Sequence, residues 1–123
     1  MLDHYVLIGQ TPVECELLEW AEAFETMDRH MAKSSLFDLC VVSTVFLGLD
    51  HSFGDGPPLL FETMLFWEDE GGNEQTRCST WLEAEEQHAR MVKYAGSPTA
   101  VLAYCKRMLS SWWDDACRSW REA

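Results

Sequence analysis

The chain has 123 residues, of which 47% are hydrophobic and 12% aromatic, and a formal net charge of −12. That length bounds one domain able to bury its own core, and the apolar share excludes a disordered chain. The charge argues against nucleic acid or an anionic membrane as a direct partner, because both select positive surface.

In chain order, His4–Ile8 reads as a short strand closed by a Gly9–Gln10 turn. Thr11-Pro12-Val13-Glu14 admits two readings: a capping box that opens a helix at Pro12, or the return strand of a hairpin with the helix starting near Glu16. Leu17, Trp20, Ala21, Phe24, Met27 and Met31 recur at helical spacing, so an amphipathic helix follows either way. Its outer face is acidic, with Glu16, Glu19, Glu22 and Glu25. Ala32–Phe37 reads as a connection. Leu39–Leu49 is a β-branched run that is apolar on both faces, the pattern of a strand at the centre of a sheet.

Asp50–Pro58 holds Gly54, Gly56, Pro57 and Pro58 and must be a loop. Its prolines remove the N–H donors that a phosphate cradle needs. Leu59–Trp67 alternates as the next strand, with Glu62 as its odd member. Glu68–Gln75 forms a turn around Gly71-Gly72, and Thr76–Cys78 returns as an edge strand. Thr80-Trp81-Leu82-Glu83 is a capping box for a helix whose inner stripe is Ala84, His88, Met91, Val92 and Ala95. Gly96 ends that helix, and Ser97-Pro98 opens the last one, over about 98–122. The whole reads as a single α+β domain, 1–123, with an antiparallel sheet of about three to five strands. One acidic helix and two C-terminal helices pack on that sheet.

Asp50, His51, Glu62 and His88 form the constellation best suited to chemistry. Imidazole with carboxylate suits acid–base catalysis, and His51, Glu62 and His88 would suit a divalent metal. Their spacing matches no HExxH-type signature, so no catalytic residue, metal or other cofactor is assigned. The bland alternative is that Asp50 and His51 shape the loop while Glu62 and His88 meet where helix packs on sheet. Ser43, Thr44 and Thr63 lie in strands and not on a nucleophile elbow. The five cysteines form no CxxC pair and read as free thiols, with Cys40, Cys105 and Cys117 within apolar stripes.

The charge is lopsided. Residues 1–76 carry fifteen acids against two bases, and residues 77–123 carry six against seven. A solubility device is the plain reading; an acidic face that docks on a basic, nucleic-acid-binding protein is the sharper one, with Glu19, Glu22 and Glu25 as its candidates. In the last helix Val101, Leu102, Cys105, Met108, Leu109, Trp112, Ala116 and Trp120 recur at helical spacing. Trp112 and Trp120 are expected in the core or at an interface, and Trp113, about 100° from Trp112, at an interface or in solvent. No run approaches the ~18–20 apolar residues of a membrane span, and no basic segment precedes an apolar one at the start. A cytoplasmic protein without membrane association is expected.

VVSTVFLGLDHSFGDGPPLLFETMLF (Val41–Phe66) and RCSTWLEAEEQHARMV (Arg77–Val92) resemble a family of small bacteriophage and prophage accessory proteins. LLEWAEAFETMDR (Leu17–Arg29) is similar to that family's Trp-containing helix. The resemblance covers most of residues 5–92 and places the family's polar motif on Asp50, His51, Glu62, Thr63, Ser79, Thr80 and His88. Departures are Trp67–Glu70 in place of a Gly-rich turn, Cys78 in place of an aromatic, and the Trp-rich extension after Tyr94. What it implies is origin: a phage protein acting in the cytoplasm of an infected bacterium. The expected function is therefore inhibition of a host process, such as an antiviral defence complex, by binding a host protein. A small enzyme or ligand-sequestering protein built on Asp50, His51, Glu62 and His88 is the alternative. A homodimer or larger homo-oligomer joined through the last helix is the third reading.

Overall fold

The computed structural model describes residues 3–52 and 54–122. In chain order they form β1 (His4–Ile8), β2 (Thr11–Cys15), α1 (Leu17–Thr26), β3 (His30–Leu36), β4 (Cys40–Phe46), β5 (Phe61–Trp67), β6 (Glu74–Cys78), α2 (Trp81–Ala95) and α3 (Pro98–Glu122). The fold is α+β, with an antiparallel four-stranded sheet in the order β3-β4-β5-β6 and a separate β1-β2 hairpin. The two apolar runs flanking the Gly/Pro loop are its central strands.

Period-two alternation decides which face is covered. Cys40, Val42, Thr44 and Phe46 of β4 and Phe61, Thr63, Leu65 and Trp67 of β5 are buried, while the residues between them are half-buried or exposed. The buried face carries the helices, and the other face meets solvent, as antiparallel sheets commonly do. The apolar residues Val41 and Val45 on that second face therefore have no helix above them. Two apolar clusters lie under the helices. Val42, Leu65, Trp67, Ala95, Ala100 and Tyr104 form one, and Phe46, Leu60, Phe61, Cys78 and Ala84 the other. Each fully buried Leu, Val or Phe in them contributes about 1.5–3 kcal/mol relative to exposure.

Of the two readings of Thr11–Glu14, the strand is the one adopted. Pro12 and Val13 pair with Leu7 and Val6 across the hairpin, and α1 begins after Glu16. Two expectations need correction. The helix does not continue to Met31: Met27 is already extended, and the Asp28 carboxylate accepts the His30 N–H at 3.0 Å, turning the chain. Ala32–Phe37 is not a connection: Ala32–Leu36 is most of β3, an edge strand paired with β4 from Ala32↔Thr44 to Leu36↔Cys40, and only Phe37 lies in the turn that follows.

α2 is capped as its sequence indicates. The Glu83 N–H donates to Thr80 Oγ1 at 3.1 Å, and the helix stops at Gly96. Ser97 Oγ accepts the Ala100 N–H and caps α3. Among the described residues, the side-chain hydrogen bonds and ring stacking that join α3 to the body come from its first three turns. Tyr104 stacks on Trp67 with centroids 5.3 Å apart, and Arg107 lies over both rings while donating to Asp69 at 2.7 and 3.3 Å. Beyond Arg107, the one side-chain ion pair among the described residues is Arg118–Asp115, within the helix itself.

The hairpin and α1 are fastened to the sheet at Gly48. Its φ is +73°, its carbonyl accepts the Tyr5 N–H at 2.8 Å, and a Cβ there would overlap the Phe24 ring. Gly9 has a similar φ of +64° but open space around it. Gly48→Ala is expected to lower unfolding free energy by about 2–4 kcal/mol, from overpacking added to left-handed strain. Gly9→Ala is expected to cost only about 1 kcal/mol, and urea denaturation of both variants checks the difference.

Candidate functional site

The fold scatters the four candidate residues. Glu62 and His88 lie on opposite sides of the sheet, because Glu62 is on the open face of β5 while His88, from α2, sits above the covered face. Glu62 Oε2 accepts from Arg77 Nε at 2.9 Å and from Gln75 Nε2 at 2.8 Å, on the neighbouring strand β6. Cross-strand register explains this, since Glu62 is paired with Arg77 and Met64 with Gln75. The carboxylate needs no histidine.

Asp50 shapes its loop. Its Oδ1 accepts the Ser52 and Leu59 N–H groups at 2.8 and 3.0 Å. Burial alone would raise its pKa, but these hydrogen bonds outweigh that and hold the carboxyl below the usual range. The neighbouring His51 closes the same loop through its main chain, donating to Leu59 O at 3.2 Å. No group of three or more His, Cys, Asp or Glu able to hold a metal ion exists among the described residues. The expected meeting of Glu62 with His88, whether as catalytic pair, metal ligands or polar contact, is therefore corrected: the pleat points them apart.

What His88 does meet is a set of hydroxyls. Its Nδ1 lies 2.8 Å from Thr44 Oγ1, which lies 2.7 Å from Thr63 Oγ1, and its Nε2 lies 2.8 Å from Ser34 Oγ. Thr44 and Thr63 are fully buried. A neutral imidazole has one donor and one acceptor nitrogen, and either tautomer lets these hydroxyls orient so that His88 and the buried threonines are satisfied. Ser34 and His88 have the separation of a nucleophile–base pair. The nitrogen that a carboxylate orienter would hold is instead bonded to Thr44, a neutral hydroxyl that stabilises an imidazolium less than a carboxylate would. Burial also lowers the His88 pKa. The network is suited to holding α2 in register on the sheet, not to moving protons. Sequence reasoning had His88 on the inner stripe but missed Ser34, because β3 itself was read as a connection.

The thiols divide. Cys40 and Cys78 are buried, and burial pushes the Cys78 thiol up to about 11, which makes it a poor nucleophile. Cys105, expected inside an apolar stripe, is exposed.

Two surfaces remain. On α1, Glu19, Glu22 and Glu25 are all exposed, with Glu14 and Glu16 exposed just before them. None of these five carboxylates forms an ion pair among the described residues. On α3, Trp112, Trp113 and Trp120 are 66%, 63% and 88% exposed. The core role considered for Trp112 and Trp120 is corrected, since the buried members of α3 are Ala100 and Tyr104. The sequence also hid Phe37, which is 70% exposed at a left-handed φ of 55° in the β3–β4 turn.

No family model, curated protein or solved structure matches this chain. The surfaces above stand on geometry alone. Among the described residues no helix is long and apolar enough to cross a membrane.

The His88 network gives a signed pH dependence. The folded state holds His88 with a lowered pKa, so below about pH 6.5, where a free imidazole protonates, the unfolded chain binds more protons. The stability it contributes is complete above that pH and falls as the pH drops toward the lowered folded value. The slope from this group cannot exceed about 1.4 kcal/mol per pH unit, the one-proton limit. Urea titrations between pH 7.5 and 5 on wild type and His88→Gln are expected to differ by a positive slope in the wild type alone.

Proposed function

We propose that this is a phage-encoded, non-catalytic binding protein that inhibits a host process, an antiviral defence complex for example, by docking its acidic face on a basic host protein. The observation that carries this reading is the unpaired row of carboxylates at the start of α1 and along it. Glu16, Glu19, Glu22 and Glu25 repeat every three residues, so each faces a like charge one turn away. Such pairs cost a helix a few tenths of a kcal/mol each. α1 also has no side-chain N-cap bond and no basic residue in its last turn. The helix thus accepts avoidable repulsion, which a cationic surface would relieve. A partner built to bind nucleic acid presents such a surface, and complementary charge would speed the encounter.

The resemblance of Val41–Phe66 and Arg77–Val92 to phage accessory proteins supports a host protein as the target. Occupation of a basic groove is then the mechanism: carboxylates stand where phosphates would lie, and the groove is closed to its own ligand.

Tagged full-length protein is expected to retain a specific basic protein from bacterial lysate at about 0.15 M salt and to release it near 0.5 M, where the screening length is roughly halved. The combined variant Glu19→Lys, Glu22→Lys, Glu25→Lys should lose at least ten-fold in retention while keeping its circular dichroism spectrum. The same proteins retained by wild type and by the charge-reversed variant, or none by either, would sink the reading.

A further inference from the structure

We propose that the outward face of α3 is occupied by α3 of a second copy of this chain, packed antiparallel about a two-fold axis, so that Trp113 of one copy fills the groove over Ala116 of the other. At about 100° per residue, Leu102, Leu109, Trp112, Trp113, Ala116 and Trp120 fall within an arc of roughly 100°. Ala100, Tyr104 and Arg107, the residues on the body side, lie on the opposite side of the helix. The apolar stripe therefore points away from the domain for about 27 Å, from Leu102 to Trp120. Asp114, Asp115 and Arg118 are all outside it.

Surface area leaves room for a partner on the molecule. A folded monomer of 14.2 kDa is expected to expose about 6,800 Å², whereas this chain exposes 8477 Å². The excess, roughly 1,700 Å², is about twice what each partner contributes to an interface of ordinary size.

Shape and charge argue that the cover is a second copy. A groove of about 580 Å³ on α3 is bounded by Trp113, Trp120 and Arg121 over Ala116 and Cys117. The knob, Trp113, lies one helical turn before this small-residue floor. In an antiparallel two-fold pair that same offset seats both knobs at once: Trp113 faces Ala116 and Leu109 faces Trp120. A self-complementary patch is what an isologous contact requires. The acidic residues lie overwhelmingly in residues 1–76, while residues 77–123 are close to balanced. α3 is thus where two like-charged copies can approach, and the antiparallel arrangement sets their acidic bodies at opposite ends. The helix dipoles favour it too.

This surface is separate from the acidic face of α1, so the two readings can fail independently. The resulting dimer presents two acidic faces.

Sedimentation equilibrium of the full chain at micromolar concentration is expected to give twice the 14.2 kDa protomer mass, with association unchanged or tightened as salt rises. Ala116→Trp fills the groove in both copies and should weaken association about 10- to 100-fold. Adding Trp113→Ala returns a large-opposite-small pair and should restore it. The buried residues of α3 are Ala100 and Tyr104, far from these positions, so both changes are expected to leave urea unfolding of the domain unaltered. A monomer at all concentrations overturns the proposal, as does a dimer indifferent to Ala116→Trp or one not restored by the double variant. Monomers that co-float with neutral phosphatidylcholine vesicles would likewise overturn it, assigning the stripe to a lipid surface.

Discussion

The structure depends on a polar seam through the middle of its core. Thr44 and Thr63 face each other on the two central strands, and His88 reaches down from α2 to bond Thr44 on one side and Ser34 on the other. Apolar clusters lie to both sides, one toward Trp67 and one toward Phe46. Apolar packing alone tolerates sliding of a helix along a sheet. A polar seam does not, because a shift of one turn would take both His88 nitrogens from their partners Thr44 and Ser34, at roughly 1–3 kcal/mol for each polar group left unpaired. The seam sets the register of α2, and everything after α2 inherits it.

That inheritance explains the unusual disposition of α3. Gly96 and the Ser97 cap turn the chain at the end of α2, and Tyr104 and Arg107 then clamp the new helix onto Trp67 and Asp69. The Asp69 carboxyl is held below its usual range by the Arg107 hydrogen bond, so the clamp is charged on both sides at neutral pH. Since the clamp uses the small and polar side of α3, the apolar side has nowhere to go but outward. The molecule ends up with two distinct surfaces: carboxylates on α1 and tryptophans on α3, with the balanced second half of the chain keeping repulsion away from the latter.

The legible parts of the fold were those where local chemistry and tertiary context agree. Val41, Val42 and Val45 favour a strand by themselves, and Thr80 with Glu83 and Ser97 with Pro98 announce helix starts through hydrogen bonds made within one turn. β3 was illegible because Ala32, Lys33, Ser34 and Ser35 carry little strand preference. They are extended only because the exposed edge of β4 offers them a ladder of partners. Met27 and Met31 continued a helical spacing that the Asp28 carboxylate interrupts. Glu62 and His88 looked like partners because each is a polar residue in an apolar setting. Whether they meet turns on the pleat: Arg77 stands opposite Glu62 on one face, and Thr44 stands beneath His88 on the other.

By itself, then, the sequence determined the class of fold, the central strands, the helix starts, the acidity of the first half and the aromatic surplus of the last helix, all of which follow from residue types and spacings along a single segment. Only the tertiary structure decided which side of each segment is inside. Helical or alternating spacing says that a stripe exists and not where it points, and direction is set by neighbours distant in sequence. The stripe of α3 reads like a core stripe until Trp67 and Asp69 take hold of its other side. At that point Trp112, Trp113 and Trp120 become surface.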